Sequence, residues 1–133
     1  MRFARWVFLI SGLYGIAVML PQYFLEERIG RDYPPPITHP EHFYGFVGVT
    51  LAWQVLFLVI AADPVRLRTA MPAAVLEKLA FAVAVPVLYA LGRVPSALVP
   101  FAALDAMWAI LFTLAFFRTP RDVVPHAASP GTP

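Results

Sequence analysis

The chain alternates between long apolar stretches and short polar or proline-bearing connections. Each of four apolar stretches is about twenty residues long, which as a helix is enough to cross a hydrocarbon core of about 30 Å. The stretches cover residues 6–25, 43–62, 73–91 and 97–117. The pattern predicts an all-α integral membrane protein, in which residues 1–118 form one domain of four transmembrane helices.

The composition supports a membrane location. Hydrophobic residues make up 60% of the chain and charged residues 14%, and the mean hydropathy of +0.72 is far above that of an ordinary soluble domain. Residues 119–133 are polar and rich in proline, so we predict a disordered C-terminal tail there. The chain contains no cysteine, which excludes disulfides, thiolate metal sites and cysteine nucleophiles.

Short connections between the apolar stretches predict an antiparallel four-helix bundle. Asp63-Pro64 should end the second helix, Pro72 precedes the third, and Gly92 begins the turn before the fourth. Within the third helix, Pro86 should produce a kink and free a backbone carbonyl. Small residues at helical spacing predict packing surfaces that allow close backbone approach, on the first helix at Gly12 and Gly15 and on the second at Gly45, Gly48 and Ala52.

The distribution of arginine predicts the orientation. More arginines flank the ends that would face the cytoplasm, namely Arg2, Arg5, Arg66, Arg68, Arg118 and Arg121, than the other ends, which have Arg28, Arg31 and Arg93. We therefore expect both termini in the cytoplasm and the loop of residues 26–42 outside. Nine arginines against one lysine, with abundant alanine, valine and proline, indicate a GC-rich bacterial genome. The expected location is the bacterial cytoplasmic (inner) membrane, as a multi-pass protein.

Asp105 is the main candidate for a functional residue. It lies near the middle of the fourth apolar stretch, where an ionisable side chain costs about 2.5–3.5 kcal/mol. Thr50 and Gln54 share one face of the second helix and are the expected partners of Asp105. Two interpretations stay open, since such a polar cluster either joins the helices by hydrogen bonds or forms a ligand or proton site.

Aromatic residues near the same depth suggest the kind of ligand. Trp53 and Trp108 lie deep in their helices and either pack in the core or line a cavity with Phe101 and Phe112. Such a cavity would suit a flat lipophilic molecule, for example a quinone, a sterol-like compound or a lipid. The predicted ligand-binding residues are Thr50, Trp53, Gln54, Asp105 and Trp108.

Two further charges interrupt the third stretch. Glu77 and Lys78 lie about one turn from its predicted start, and helical side chains lean towards the N-terminus. We therefore expect Lys78 to extend towards the membrane surface and Glu77 to meet Arg66 or Arg68, so that these four residues form an interfacial charge network. The same direction predicts that Lys78 does not pair with Asp105.

The loop before the second helix combines prolines with metal-binding residue types. His39, Glu41 and His42 carry imidazole and carboxylate groups, which are common ligands of zinc and copper. A proline separates the histidines and no third or fourth ligand is defined, so the sequence favours a solvated loop with an aromatic interface belt over a metal site. We assign no metal and no cofactor, and metal binding by these three residues stays an open alternative. Thr38 or Glu41 should cap the second helix.

The size, topology and polar residues Gln54, Glu77 and Asp105 resemble those of small four-helix bacterial membrane proteins of the DoxX-like type. This resemblance implies a link to quinone or thiosulfate oxidation. Glu77, Asp105 and Trp108 are also similar to the buried acidic and aromatic residues of four-helix sterol isomerases. No catalytic residue is assigned on either resemblance.

Two classes of function follow. The first is a lipophile-binding or accessory membrane module with a polar cluster at mid-membrane depth. The second is a membrane enzyme, either an isomerase or a quinone-linked oxidoreductase subunit, that uses Asp105 as an acid or base. The expected partners are membrane lipid, a small lipophilic ligand, and a second copy or another membrane protein, but not nucleic acid.

Overall fold

The computed structural model describes residues 2–121 and is all-α. The five α-helices are α1 Arg2–Met19, α2 Glu26–Asp32, α3 Pro40–Ala62, α4 Met71–Ala90 and α5 Val99–Arg118. Short 3-10 segments at Leu20–Phe24, Arg68–Ala70 and Ser96–Leu98 adjoin α1, α4 and α5. Most of the tail predicted to be disordered, residues 122–133, lies outside the described residues.

Four helices are long and apolar enough to cross a membrane, which confirms the predicted number. With their 3-10 segments they cover Arg2–Phe24, Pro40–Ala62, Arg68–Ala90 and Ser96–Arg118, and their mean hydropathy is between 1.8 and 2.1. The third span begins five residues before the predicted start at residue 73. Helix α2 was not predicted, because its residues are mostly charged and it is only seven residues long.

Three of the long helices, α3, α4 and α5, have a proline in their first turn. Pro40, Pro72 and Pro100 all lie in the first turns of their helices, where a missing N–H removes no intrahelical hydrogen bond. The N-cap of α3 is His39 and forms no side-chain cap, so the expectation that Thr38 or Glu41 caps this helix was wrong.

The C-terminal ends of the helices agree with the sequence-based predictions better than the N-terminal ends do. Asp63 is the C-cap of α3, as predicted. After α4, Gly92 has φ +68°, its N–H donates to Tyr89 O, and the N–H of Arg93 donates to Leu88 O, both at 2.9 Å. This is a Schellman turn, which requires the left-handed backbone that glycine adopts readily. Helix α4 itself continues through Pro86.

Arginine side chains join helix termini at one end of the bundle. Arg5 donates to the backbone oxygen of Ala62 at 3.2 Å, linking the start of α1 to the end of α3. Arg68 Nε donates to the backbone oxygens of Phe116 at 3.2 Å and Thr119 at 2.8 Å, linking the start of the third span to the end of α5. We call this side of the molecule the arginine end.

An aromatic layer holds three of the helices together near the arginine end. Phe8 of α1, Phe57 of α3 and Phe112 of α5 are all fully buried. The ring centres of Phe8 and Phe112 are 4.2 Å apart and those of Phe57 and Phe112 are 4.9 Å apart. The stacked and edge-on contacts of these rings join the three helices by close van der Waals packing.

Helix pairs differ in how closely they pack. Helix α4 packs chiefly on α5 and α3 chiefly on α1, whereas α3 and α4 meet at few positions. Gly12 and Gly15 form the seam between α1 and α3: a Cβ atom at Gly12 would lie 2.7 Å from Leu58 Cδ2, and one at Gly15 would overlap the Gln54 side chain. The predicted close contact is confirmed for these two glycines, whereas no atom lies within 4 Å of a Cβ built on Gly45.

Replacing Gly15 with alanine should destabilise the protein, because the new methyl group would displace the Gln54 side chain. We expect a loss of about 1–3 kcal/mol in the free energy of unfolding, the usual cost of overpacking. Unfolding in mixed micelles would measure it. Gly45→Ala is the matched control, because its methyl group meets open space; equal losses in both variants would contradict the assigned seam.

Candidate functional site

The candidate site consists of three charged side chains within the third and fourth spans. Lys78 Nζ lies 3.2 Å from Glu77 Oε2 and 3.4 Å from Asp105 Oδ1. The side chains of Lys78, Glu77 and Asp105 are 8%, 14% and 21% exposed, so all three are largely enclosed by protein. One ammonium group therefore serves two carboxylates, and we call these residues the charged triad.

The charged triad lies near the middle of the spans. Arg68, which is bonded to the end of α5, precedes Lys78 by about ten residues, or about 15 Å of helix. Asp105 lies a similar distance before Phe116, the residue that accepts a hydrogen bond from Arg68. The two helices thus place Lys78 and Asp105 at the same level, near the middle of the third and fourth spans.

The expectation that Lys78 and Asp105 do not pair was wrong. It assumed that the third helix begins at residue 73, which left Lys78 within about one turn of the membrane surface. The span instead begins at Arg68, so Lys78 lies deeper. Its ammonium group lies 5.4 Å from the centre of the Phe57 ring, which indicates that the side chain turns into the bundle.

The four residues of the predicted charge network do not form one cluster in the structure. Glu77 and Lys78 pair with each other, but Arg68 binds backbone oxygens of α5 and lies 3.8 Å from the centre of the Phe116 ring. The backbone N–H of Arg66 donates to Asp63 Oδ1 at 3.2 Å, and Arg66 is exposed. The arginines therefore stabilise the arginine end and do not belong to the charged triad.

Thr50 and Gln54 were the expected partners of Asp105, but the structure does not pair them with it. Gln54 Nε2 donates to the backbone oxygen of Thr50 at 3.0 Å, within α3. Gln54 is 1% exposed, and its side-chain oxygen lies against Gly15 of α1. Asp105 is paired with Lys78 instead. Sequence reasoning identified Asp105 as a central residue but chose the wrong partners.

Several buried polar atoms within residues 2–121 lack a hydrogen-bond partner: Ser11 Oγ, Gln54 Oε1, Glu77 Oε2 and Trp108 Nε1. Glu77 Oε2 is at ion-pair distance from Lys78 but is not aligned for a hydrogen bond. An unsatisfied buried donor or acceptor costs about 1–3 kcal/mol. These atoms are therefore candidates to bind a polar group that enters the bundle, and Ser11 was not recognised from the sequence.

The predicted aromatic residues occupy different environments. Trp108 is 8% exposed and its ring centre lies 6.2 Å from that of Phe112, so it faces the core. Trp53 is half-buried, 6.4 Å from Phe57. Phe101 is 46% exposed and does not line the core with them. Whether Thr50, Trp53, Gln54, Asp105 and Trp108 bind a ligand stays a prediction.

Two open concavities lie away from the charged triad, around helix α2. The first, of about 460 Å³, is lined by Glu26, Glu27, Gly30, Arg31, Pro36 and Ile37. The second, of about 250 Å³, includes Tyr44, whose hydroxyl group donates to Glu26 Oε2 at 2.6 Å. Neither concavity includes a residue of the charged triad.

Comparisons with family models, with curated proteins and with solved structures gave no match. They therefore do not bear on the resemblance to DoxX-like proteins, which stays a prediction.

Replacing Lys78 with methionine should destabilise the protein, because Glu77 and Asp105 would lose their shared cation in a low-dielectric environment. The expected loss is about 3 kcal/mol or more in the free energy of unfolding. Arg93→Met, which removes an exposed cation after α4, should change it by less than about 0.5 kcal/mol.

A double-mutant cycle separates the pair from general packing effects. Lys78→Met combined with Asp105→Asn should cost less than the sum of the single losses, because the second change removes a charge that the first left uncompensated. Additive losses, or a Lys78→Met loss no larger than that of Arg93→Met, would contradict the triad.

Proposed function

We propose that this chain is a small membrane-embedded binding module that holds a lipophilic molecule at the charged triad. In this proposal the four spans form an antiparallel bundle in the bacterial cytoplasmic membrane, with both termini in the cytoplasm. The arginine end faces the cytoplasm, because basic residues near helix ends are enriched there. The hydrogen bonds from arginines to Ala62, Phe116 and Thr119 support the proposal that these helix ends lie on the same side of the membrane.

The single observation that favours binding is the position of Lys78 between two carboxylates inside apolar spans. A hydrophobic core of similar volume would stabilise four helices at lower cost, since each charged group at mid-membrane depth is costly to place. Intramembrane ionisable residues that face the bundle commonly belong to substrate, ion or proton sites. The charged triad is therefore the part of the molecule that structural stability explains least.

The chemistry of the unpartnered atoms suggests the ligand class. Trp108 Nε1 is a buried donor with no acceptor among residues 2–121. Glu77 Oε2 is paired with Lys78 Nζ at 3.2 Å but accepts no hydrogen bond among these residues. A molecule with carbonyl or hydroxyl groups on a flat apolar ring, as in a quinone, offers complementary atoms and an apolar body that packs on aromatic side chains. The sparse contact between α3 and α4 favours entry from the lipid between these helices.

A second candidate is a membrane enzyme that uses Asp105 as an acid or base. Its favouring observation is that Asp105 is the most exposed member of the charged triad, at 21%, with a cation 3.4 Å from its carboxylate. A ligand at that position would contact a proton-exchanging group. The isomerase and the quinone-linked oxidoreductase subunit both fit this description. Turnover of a bound lipophile would distinguish the enzyme from the binding module.

The proposal predicts a retained lipophile. Native mass spectrometry of the detergent-purified protein, followed by solvent extraction, should detect a small molecule in stoichiometric amount. Decylubiquinone added to the delipidated protein should quench tryptophan fluorescence saturably. Lys78→Met and Asp105→Asn should each weaken this binding by about tenfold or more, the effect of losing one charged contact.

Arg93→Met is the control and should bind decylubiquinone as the unaltered protein does. Folded Asp105→Asn protein with unchanged affinity would place any ligand away from the charged triad. A protein that retains no molecule and shows no saturable quenching by quinones, sterols or lipids would refute the binding module.

A further inference from the structure

Three metal-ligating side chains converge where the loop after α2 enters α3. Nδ1 of His39 and Nδ1 of His42 each lie 3.2 Å from the same oxygen of Glu41. The ligating atoms of all three residues lie within 4.8 Å of one another. Proximity in sequence alone did not determine this convergence, because side chains two and three residues apart can also point away from each other.

The contact between His39 Nδ1 and Glu41 Oε1 is a hydrogen bond, and its length is also that between neighbouring ligands of a metal ion. In a tetrahedral site with ligand bonds of about 2.0–2.1 Å, neighbouring ligand atoms are separated by about 3.3 Å. Both distances between a histidine nitrogen and the Glu41 oxygen are close to this value. A small movement of the two imidazole rings, whose centres are 5.4 Å apart, would bring the third separation to the same range.

The backbone around these residues is well defined. His39 has φ −124° and ψ 74°, outside the helical region, and Pro40 begins α3. The N–H groups of His42 and Phe43 donate to His39 O at 3.1 and 3.2 Å. The first turn of α3 therefore fixes the spacing of all three side chains, so that metal binding would have to order only side-chain torsions.

We propose that His39, Glu41 and His42 bind a borderline divalent cation, with Zn²⁺ as the principal candidate. Imidazole and carboxylate are the ligand types that Zn²⁺ and Cu²⁺ share, and water would complete the coordination. The side chains are 72%, 65% and 79% exposed, so an ion can reach them from solution. The Glu41 carboxylate offsets the unfavourable positive potential at the N-terminus of α3. This site is separate from the charged triad and independent of the lipophile.

Calorimetric titration of ZnCl₂ into the full chain, purified in detergent without a histidine tag, tests the proposal. The expected result is saturable 1:1 binding that weakens by about tenfold or more in both His39→Ala and His42→Ala, since each removes a ligand. His126→Ala is the matched control, because it removes the third histidine of the chain, and it should leave the affinity unchanged.

A second measurement tests coordination itself. Cu²⁺ bound to the full chain should give an electron paramagnetic resonance spectrum with splitting from two imidazole nitrogens, reduced to one in either histidine variant. Circular dichroism should show folded variants, since the replaced side chains are exposed. Absence of saturable Zn²⁺ binding, binding lost only in His126→Ala, or unchanged binding in His39→Ala and His42→Ala would each overturn the proposal.

Discussion

The ion pair between Lys78 and Asp105 links α4 to α5 inside their apolar spans, and Glu77, next to Lys78 on α4, shares the same ammonium group. Two carboxylates and one ammonium group lie within apolar spans, where each would be costly without its partners. Such groups restrict how far one helix can shift along the other, because a one-turn displacement would leave charges uncompensated. The hydrogen bonds from Arg68 to the end of α5 are consistent with the same register, since they place Lys78 and Asp105 at one level.

Other contacts between the helices lie on either side of the charged triad along the bundle. Towards the arginine end, the buried rings of Phe8, Phe57 and Phe112 join three helices. Further from that end, Gly15 allows Gln54 to lie against α1. Deeper in the spans, polar atoms of α1, α3, α4 and α5 are buried without hydrogen-bond partners among residues 2–121. A well-packed structural bundle would satisfy or replace such atoms. Trp108 combines an unpaired buried donor with an aromatic neighbour, Phe112, whose ring centre is 6.2 Å away, which is why a polar lipophile is the proposed ligand.

Local sequence patterns predicted the spans, because hydropathy and length need no knowledge of tertiary contacts. They did not predict α2, which is short and charged, or the depth of Lys78. Pro72 was interpreted as lying before the third helix, whereas proline is tolerated in a first helical turn and the span begins earlier, at Arg68. Because the predicted helix start was about one turn too late, Lys78 was placed too close to the membrane surface to be predicted as the partner of Asp105. The convergence of His39, Glu41 and His42 likewise depends on backbone angles that spacing alone does not define.

The environment of Lys78 can be measured directly, because it is the only lysine in the chain. Protein labelled with ¹⁵N-lysine and with ¹³C at the aspartate and glutamate carboxyl groups should give one side-chain ammonium signal in solid-state NMR spectra of membranes. Dipolar contact of this signal with aspartate and glutamate carboxyl carbons, loss of the aspartate contact in Asp105→Asn, and little magnetisation transfer from water are the predicted results. An ammonium signal in contact with water and with no carboxyl carbon would contradict the charged triad.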